Sequence, residues 1–226
     1  MGTYVNPGTK NFAKDINDDF YVDKSMLIKV LNNRINRRNC YCCVSRPRRF
    51  GKTMAANMIA AYYSKGCDSH GLFSDLKISK DSSYEENINK YAVIQLDMND
   101  VVTRKGTSSV SSFINSIVVP ELREEYPSIN LMDNIDIPGA IQAIYKGTGD
   151  RFVFIIDEYD VIIRDQKYSS ELDGYLTFLV SLFKNSATAP AIALAYLTGI
   201  MPIIKEKTQS KLNNFTEYTM IDPDEM

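Results

Sequence analysis

Residues 40–53, CYCCVSRPRRFGKT, join a short apolar run to a basic loop that ends in Gly-Lys-Thr. Cys40–Val44 predicts a short buried strand, and the almost wholly apolar Thr53–Tyr63 (TMAANMIAAYY) predicts a buried helix after the loop. Gly-Lys-Thr at the start of a helix is the end of a Walker A phosphate-binding loop. Phosphate is stabilised there because the first N–H groups of a helix point outward and carry partial positive charge.

Each residue at the end of this loop has a predicted role in binding a nucleotide. Lys52 is expected to reach the β- and γ-phosphates, and the hydroxyl of Thr53 is expected to bind Mg²⁺. The predicted phosphate-binding segment comprises Arg46, Arg48, Arg49, Phe50, Gly51, Lys52, Thr53 and Met54. Arg46 stands where the full pattern has its first glycine. The three arginines either clamp phosphate groups or include one that only packs structurally.

A second motif follows the apolar run Phe152–Ile156 (FVFII), which predicts a strand buried on both faces. Asp157 and Glu158 come next, as in a Walker B motif. Asp157 is predicted to hold Mg²⁺, and Glu158 to polarise the attacking water. An isolated pair of acids would equally suit a solvated turn. Two motifs in one chain favour the nucleotide site.

Two further strands are predicted, Ala92–Met98 and Ile192–Leu197. Because strands alternate with helices, we expect an α/β P-loop NTPase fold: an open, mostly parallel sheet with helices on both faces. Ligands bind such sheets beyond the carboxyl ends of the strands. Thr198 follows the last strand and is either a residue that positions the lytic water or part of a turn. Asp97 either supports the metal or caps a loop.

Turn and helix-boundary residues give the remaining expectations. Asp23 is a candidate N-cap. Pro120 is expected to end or kink the helix that begins near Val110. Pro138 and Gly147 are expected to bracket a short helix. The polar residues 1–19 are predicted to be a loosely held N-terminal arm, with the P-loop domain over residues 20–226.

Composition limits the classes of function. The net charge of −2 over 226 residues gives no overall basic field for nucleic acid or membrane. The apolar runs are too short to span a bilayer, and the N-terminus has no apolar stretch of a secretory signal. Three of the four cysteines lie in the predicted strand, where free thiols suit a reducing cytoplasm.

The order of four motifs resembles the bacterial AAA-ATPase-like family, whose members often carry a C-terminal nuclease-like domain of the PD-(D/E)xK type. The motifs are Phe20–Lys24, Ser45–Thr53, Ile156–Asp160 and Leu197–Ile200. The resemblance implies ATP as the nucleotide, an additional strand in the sheet, and the site residues named above. Tyr21, Asp23 and Lys24 either line the base pocket or cap a helix. The chain ends at Met226, so the resemblance implies that the downstream lid and nuclease-like region are missing.

The leading hypothesis is an ATP-binding domain that hydrolyses ATP with Mg²⁺ to drive a conformational change. The alternative is a nucleotide-gated binding module with little or no turnover, which contacts protein or nucleic acid. A small-molecule kinase would use the same loop, but no acceptor pocket is identified. Arg34, Arg37 and Arg38 form a local basic cluster with the loop arginines, but only Tyr41 and Phe50 offer aromatic stacking nearby.

Overall fold

The computed structural model describes residues 2–203 and 211–219. Within them, five strands form one sheet in the order β2-β3-β4-β1-β5, and every neighbouring pair is parallel. The strands are β1 Tyr41–Ser45, β2 Ala92–Asp97, β3 Phe152–Asp157, β4 Ile192–Gly199 and β5 Thr216–Tyr218. This confirms the predicted parallel sheet.

The α-helices lie between the strands and before the first of them. They are α1 Lys10–Ile16, α2 Met26–Asn32, α3 Lys52–Tyr63, α4 His70–Phe73, α5 Tyr84–Asn87, α6 Met98–Arg104, α7 Val110–Glu125, α8 Ile137–Thr148, α9 Val161–Arg164 and α10 Leu172–Phe183. Short 3₁₀ turns cover Lys77–Lys80, Gln166–Glu171 and Ala189–Ala191. Across the described ranges, no helix combines the length and the apolar character needed to cross a bilayer.

Helices cover both faces of the sheet. All six residues of β3 are buried, which requires cover above and below this central strand. On one face, Phe183 of α10 makes ring contacts with Phe154 and Tyr41. α3 packs against β2, β3 and β4. The nearly all-apolar sequence of α3 is explained by this position, since the helix is enclosed on most sides.

The strand order determines which strand ends meet. β4 lies between β1 and β3, so the carboxyl ends of these three strands adjoin. Val44 of β1 pairs with Thr198, and Leu197 pairs with Ile156 of β3. β4 is the additional strand that the family resemblance implies. Its carboxyl end bridges the loop after β1 and the turn after β3.

One predicted helix end and one predicted N-cap were wrong, and of the two alternatives for Pro120 the structure excludes the helix end. α7 continues through Pro120 to Glu125, because buried Val119 and Leu122 hold the helix against the core despite the hydrogen bond that proline removes. α8 runs past Gly147 to Thr148 and ends at Gly149, whose left-handed φ of 79° suits a helix end. Asp23 lies outside α2 and instead accepts hydrogen bonds from the N–H groups of Ser25 (2.8 Å) and Lys77 (3.0 Å).

The described part of the N-terminal segment, residues 2–19, is packed against the sheet rather than loosely held. Val5 forms an antiparallel bridge with Ile94 of β2. The Glu121 carboxylate of α7 accepts the N–H groups of residues 3–5 at 2.8 to 2.9 Å. Phe12 of α1 is buried in the core. The backbone groups of this segment find partners on β2 and α7, which its polar composition did not predict. The division of the chain at residue 19 stays a prediction.

Candidate functional site

The loop between β1 and α3 places left-handed backbone just before the helix. Arg49 has φ of 68° and Gly51 has φ of 72°, whereas Arg46 is not among the left-handed residues. Glycine adopts this conformation without steric cost, and Gly51 occupies the position that precedes the first residue of α3. The arginine at position 46 therefore carries no left-handed backbone strain in this loop.

Lys24 supports the loop from outside. Its ammonium donates a hydrogen bond to the carbonyl of Phe50 at 2.7 Å. A Cβ on Gly51 would lie 3.1 Å from the same Nζ, so the close approach also favours glycine. The sequence left the role of Lys24 open. The structure places it as a clamp on the loop, 26 residues before the carbonyl it holds.

One carboxylate joins the ends of β3 and β4 to the start of α3. Asp157, which is 3% exposed, accepts hydrogen bonds at 2.6 Å from the hydroxyls of both Thr53 and Thr198. The Thr53 bond reaches Oδ2 and the Thr198 bond reaches Oδ1. Both motifs predicted from the sequence therefore meet at the start of α3. The hydroxyl of Thr198 contacts Asp157 in this structure, and its predicted role toward a lytic water stays a prediction.

Glu158 lies between two cations. Its Oε1 is 3.4 Å from the ammonium of Lys52, and its Oε2 is 2.8 Å from the guanidinium of Arg164. Its backbone is left-handed, with φ of 52°. Lys52 also donates to the carbonyl of Pro47 at 3.3 Å. The side chain of Glu158 is 16% exposed and is directed toward the loop by these contacts.

Sequence reasoning missed Asp160 and Arg164. The fully buried Asp160 accepts the N–H groups of Ile200 (3.2 Å) and Met201 (2.9 Å), and it pairs with Arg164 at 2.8 Å. Burial disfavours the charge of Arg164, but its bonds to Glu158 and the charge of Asp160 raise its pKa overall. The only sequence signal was the spacing of four residues between Asp160 and Arg164, which places both on one face of a helical turn.

The side-chain oxygen atoms of Thr53 and Asp157 suit Mg²⁺. This ion prefers oxygen ligands and binds through one or two carboxylates together with water and substrate phosphates. Thr53 and Asp157 supply a hydroxyl and a carboxylate in direct contact. In the part of the chain that the structure describes, there is no cluster of three or more His, Cys, Asp or Glu residues that could hold a metal alone. Thr53 and Asp157 would hold such an ion together with substrate phosphates and water.

Asp97 lies at the neighbouring strand end. Its backbone pairs with Asp157 in the β2–β3 register, and its carboxylate caps α6 by accepting the N–H of Asn99 at 2.8 Å. Removal from water, followed by the negative charge of Asp157, raises the pKa of Asp97. Of the two sequence interpretations, the structure shows the cap.

The loop arginines are placed differently from one another. Arg46 donates to the carbonyl of Tyr218 at 2.9 Å, which connects the loop to β5. Arg48 is exposed, and Arg49 lines a cavity of about 300 Å³ beside the loop. Met54 lines the same cavity. Contact of these residues with a phosphate stays a prediction.

Two cavities flank Gly51. The cavity of about 300 Å³ is mainly apolar and includes exposed aromatic rings, since Phe20 is 89% and Phe50 is 46% exposed. Its lining is completed by Tyr21, Val22, Lys24, Arg49, Gly51, Met54, Ala55 and Met58. A second cavity of about 360 Å³ lies between α2 and the loop and reaches Lys52 and Tyr196. Tyr21 thus lines the first cavity, and its role toward a nucleotide base stays a prediction.

Comparison with known proteins places this chain in a family. A family model described as "Predicted AAA-ATPase" matches residues 6–208, which is most of the chain. A protein of Azotobacter chroococcum mcd 1, described as "Uncharacterized protein in vnfD 5'region", is 22% identical over 219 residues. That match covers 94% of this chain but only 40% of the relative.

A solved structure is similar in fold. The ORC2 protein of Aeropyrum pernix, determined in ADPNP–ADP complexes, superposes with a TM-score of 0.52 at 12% sequence identity. The match covers 91% of this chain and 51% of the ORC2 chain. At this level of identity the likeness concerns the fold. It agrees with the parallel sheet and the strand order, which together define an α/β P-loop NTPase fold.

Proposed function

Because the chain belongs to the predicted AAA-ATPase family, we propose that it binds ATP with Mg²⁺ and hydrolyses it to drive a conformational change. One observation carries the proposal: Thr53 and Asp157, 104 residues apart in the sequence, are in contact at 2.6 Å at the start of α3. Phosphate groups bind favourably at such a helix start. The acidic end of one motif therefore faces the phosphate-binding end of the other.

Each side chain at the site has a distinct role in this proposal. The ammonium of Lys52 exchanges its contacts with Pro47 and Glu158 for the β- and γ-phosphates. Thr53 and Asp157 hold Mg²⁺, which when bound offsets the negative charge that develops on the phosphates. Glu158 accepts a proton from the attacking water. The Thr198 hydroxyl donates to Asp157 at 2.6 Å and so fixes the carboxylate that is proposed to hold the metal.

The base of the nucleotide fits the cavity of about 300 Å³ beside Gly51. Binding sites for aromatic bases are concave and mostly apolar, with a few polar groups that fix orientation. Phe20, Phe50, Met54 and Met58 provide apolar surface, and Tyr21 and Lys24 provide polar atoms. The adenine nucleotides in the ORC2 structure support an adenine base here.

A nucleotide-gated binding module with little turnover is the second candidate. It is favoured by the contact between Glu158 and Lys52, because a carboxylate that stays on this ammonium at 3.4 Å is not directed toward an attacking water. The chain spans 40% of the length of the curated relative. In either candidate function, a partner that responds to the conformational change is part of the proposal.

We place the protein in the cytoplasm, because Cys40, Cys42 and Cys43 are buried free thiols.

Phosphate release from ATP distinguishes these candidates. The wild type is compared with Lys52→Ala, Glu158→Gln and the control Lys146→Ala, which alters an exposed lysine on α8. We expect Lys52→Ala to lose ATP binding. Glu158→Gln should retain binding but lose about 10²- to 10⁴-fold in turnover, because it removes the proton acceptor. Equal release from all four proteins would refute hydrolysis at this site. Tight binding with no release by the wild type would favour the binding module.

A further inference from the structure

Arg164 connects the carboxylates of Glu158 and Asp160, which lie in the turn directly after β3. Its Nη2 lies 2.8 Å from Oε2 of Glu158, and its Nη1 lies 2.8 Å from Oδ1 of Asp160. The guanidinium is a planar fork with several donors, so it can hold two acceptors in a fixed relative orientation. Neither the Walker motifs nor the family match assigns a role to this residue. We propose that Arg164 is a positioning residue that holds Glu158 toward the phosphate site, an inference that rests on the proposed hydrolysis.

The bond to Asp160 fixes the arginine to the sheet. Asp160 is fully buried and accepts two backbone N–H groups, those of Ile200 and Met201, directly after β4. The carbonyl of Met201 in turn accepts hydrogen bonds from Tyr159 (2.6 Å) and Ser45 (3.1 Å). Asp160 is therefore held by backbone at the end of β4, next to β1. Because Arg164 is paired with this fixed carboxylate, its guanidinium cannot move freely with the side chain of Glu158.

The contacts of Glu158 show why the arginine matters when nucleotide is present. Lys52 approaches Oε1 and Arg164 approaches Oε2, so the two cations hold the carboxylate from different sides. Binding of a triphosphate draws the Lys52 ammonium away from Glu158. Among the partners that the described residues provide, Arg164 is then the charged group left on this carboxylate. The orientation of Glu158 toward an attacking water thereby depends on Arg164.

A purely structural role for Arg164 would predict that its removal lowers the stability of the fold and leaves the rate of hydrolysis by the folded protein unchanged. Asp160 keeps its two backbone N–H donors when Arg164 is removed, so the buried carboxylate stays partly satisfied. Arg164 itself is 20% exposed and can be replaced without opening the core. Its loss should therefore lower the rate of hydrolysis in a protein that still folds, at a cost in stability from the charge left on buried Asp160. Because Arg164 acts through Glu158, its effect should also vanish when Glu158 cannot accept a proton.

The test is a double-mutant cycle on ATP turnover with Arg164→Ala, Glu158→Gln and the double variant. We expect Arg164→Ala to lower kcat by about 10- to 100-fold, as misplacement of a reacting group does, with KM for ATP within about twofold of the wild type. In the Glu158→Gln background, the same substitution should cause no further loss. Arg164→Lys keeps the charge but cannot bridge both carboxylates, so it should restore part of the rate.

The matched control is Lys167→Ala, which breaks an exposed ion pair with Asp165 just after α9 and should leave turnover unchanged. Thermal unfolding is measured for each variant. If Arg164→Ala does not fold, the kcat of a folded Arg164→Lys decides, and a wild-type value would overturn the inference. Wild-type turnover in Arg164→Ala, or an equal further loss in the Glu158→Gln background, would overturn it while the proposed function stands. No turnover by the wild type would overturn both.

Discussion

At Asp157, a single buried carboxylate organises the site through three donors. The hydroxyls of Thr53 and Thr198 each donate at 2.6 Å, and the N–H of Glu158 donates at 3.0 Å. Buried polar groups are costly unless they are hydrogen-bonded, so these donors account for a carboxylate in the sheet at this depth. Thr198 is itself fully buried and has no access to bulk water. Its hydroxyl therefore supports Asp157 in addition to any role toward a nucleotide.

Replacement of Thr198 by valine should destabilise the protein. The change keeps the shape of the side chain but removes the buried donor to Asp157, so we expect a loss of about 1 to 3 kcal/mol in the free energy of unfolding. Urea unfolding measures the effect, and Thr198→Ser, which retains the hydroxyl, is the control. A valine variant as stable as the wild type would show that the 2.6 Å bond contributes nothing to the fold.

The residues at the site were predictable where they belong to short motifs. Lys52, Thr53, Asp157 and Glu158 follow strands that the apolar runs reveal, and the structure brings all four together. Their chemical roles remain predictions. Arg164 was not predictable, because its contact with Glu158 depends on a left-handed turn at a glutamate, a conformation that this residue type rarely adopts.

At the scale of elements, periodicity gave the centres of helices and strands better than their ends. α3 and β3 were predicted within one residue, since long apolar patterns reflect burial directly. The helix end predicted at Pro120 is absent because buried Val119 and Leu122 hold α7 against the core, and α8 passes Gly147 because Gly149 supplies the left-handed end. The position of β4 between β1 and β3 has no local signal, and it follows only from the pairing of strands far apart in sequence.

Gly199 ends β4 at a point where Asp160 comes unusually close. A Cβ at this position would lie 2.7 Å from Oδ1 of Asp160 and 2.8 Å from the ring of Tyr159. We expect Gly199→Ala to destabilise the fold by about 1 to 3 kcal/mol through overpacking. It should also lower ATP turnover, since Asp160 holds Arg164.

The matched control is Gly174→Ala in α10, where a Cβ meets nothing within 4 Å. Alanine is favoured over glycine inside a helix by about 0.5 to 1 kcal/mol, so this variant should be stabilised. Both values come from urea unfolding of the full chain. Equal stability changes for the two alanine variants would contradict the crowding described at Gly199.

At the scale of the whole molecule, residues 2–19 pack against β2 and the core. The antiparallel bridge between Val5 and Ile94 extends the sheet beyond β2. Asn6 accepts the N–H of Val93 at 2.8 Å and donates its own N–H to the Val93 carbonyl at the same distance. Phe12 stacks on Phe73 with ring centroids 5.0 Å apart. Polar composition indicated an arm, but apolar and backbone contacts of a few residues decide where this segment lies.

Phe12→Ala should therefore cost about 3 to 5 kcal/mol in the free energy of unfolding, as expected for truncation of a buried aromatic side chain. Phe20→Ala is the control, because Phe20 is largely exposed and its removal leaves no cavity in the core. Chemical unfolding of the full chain reports both. Similar stabilities for the two variants would mean that residues 2–19 contribute little to the fold.

The most direct test of the central claim is a crystal structure with a non-hydrolysable ATP analogue and Mg²⁺. We predict the triphosphate at the start of α3, with the Lys52 ammonium on its β- and γ-phosphates and the metal beside Thr53 and Asp157. Glu158 should remain in contact with Arg164 after Lys52 has moved. A nucleotide bound elsewhere, or one bound here with the Lys52 and Asp157 side chains directed away from its phosphates, would contradict the account.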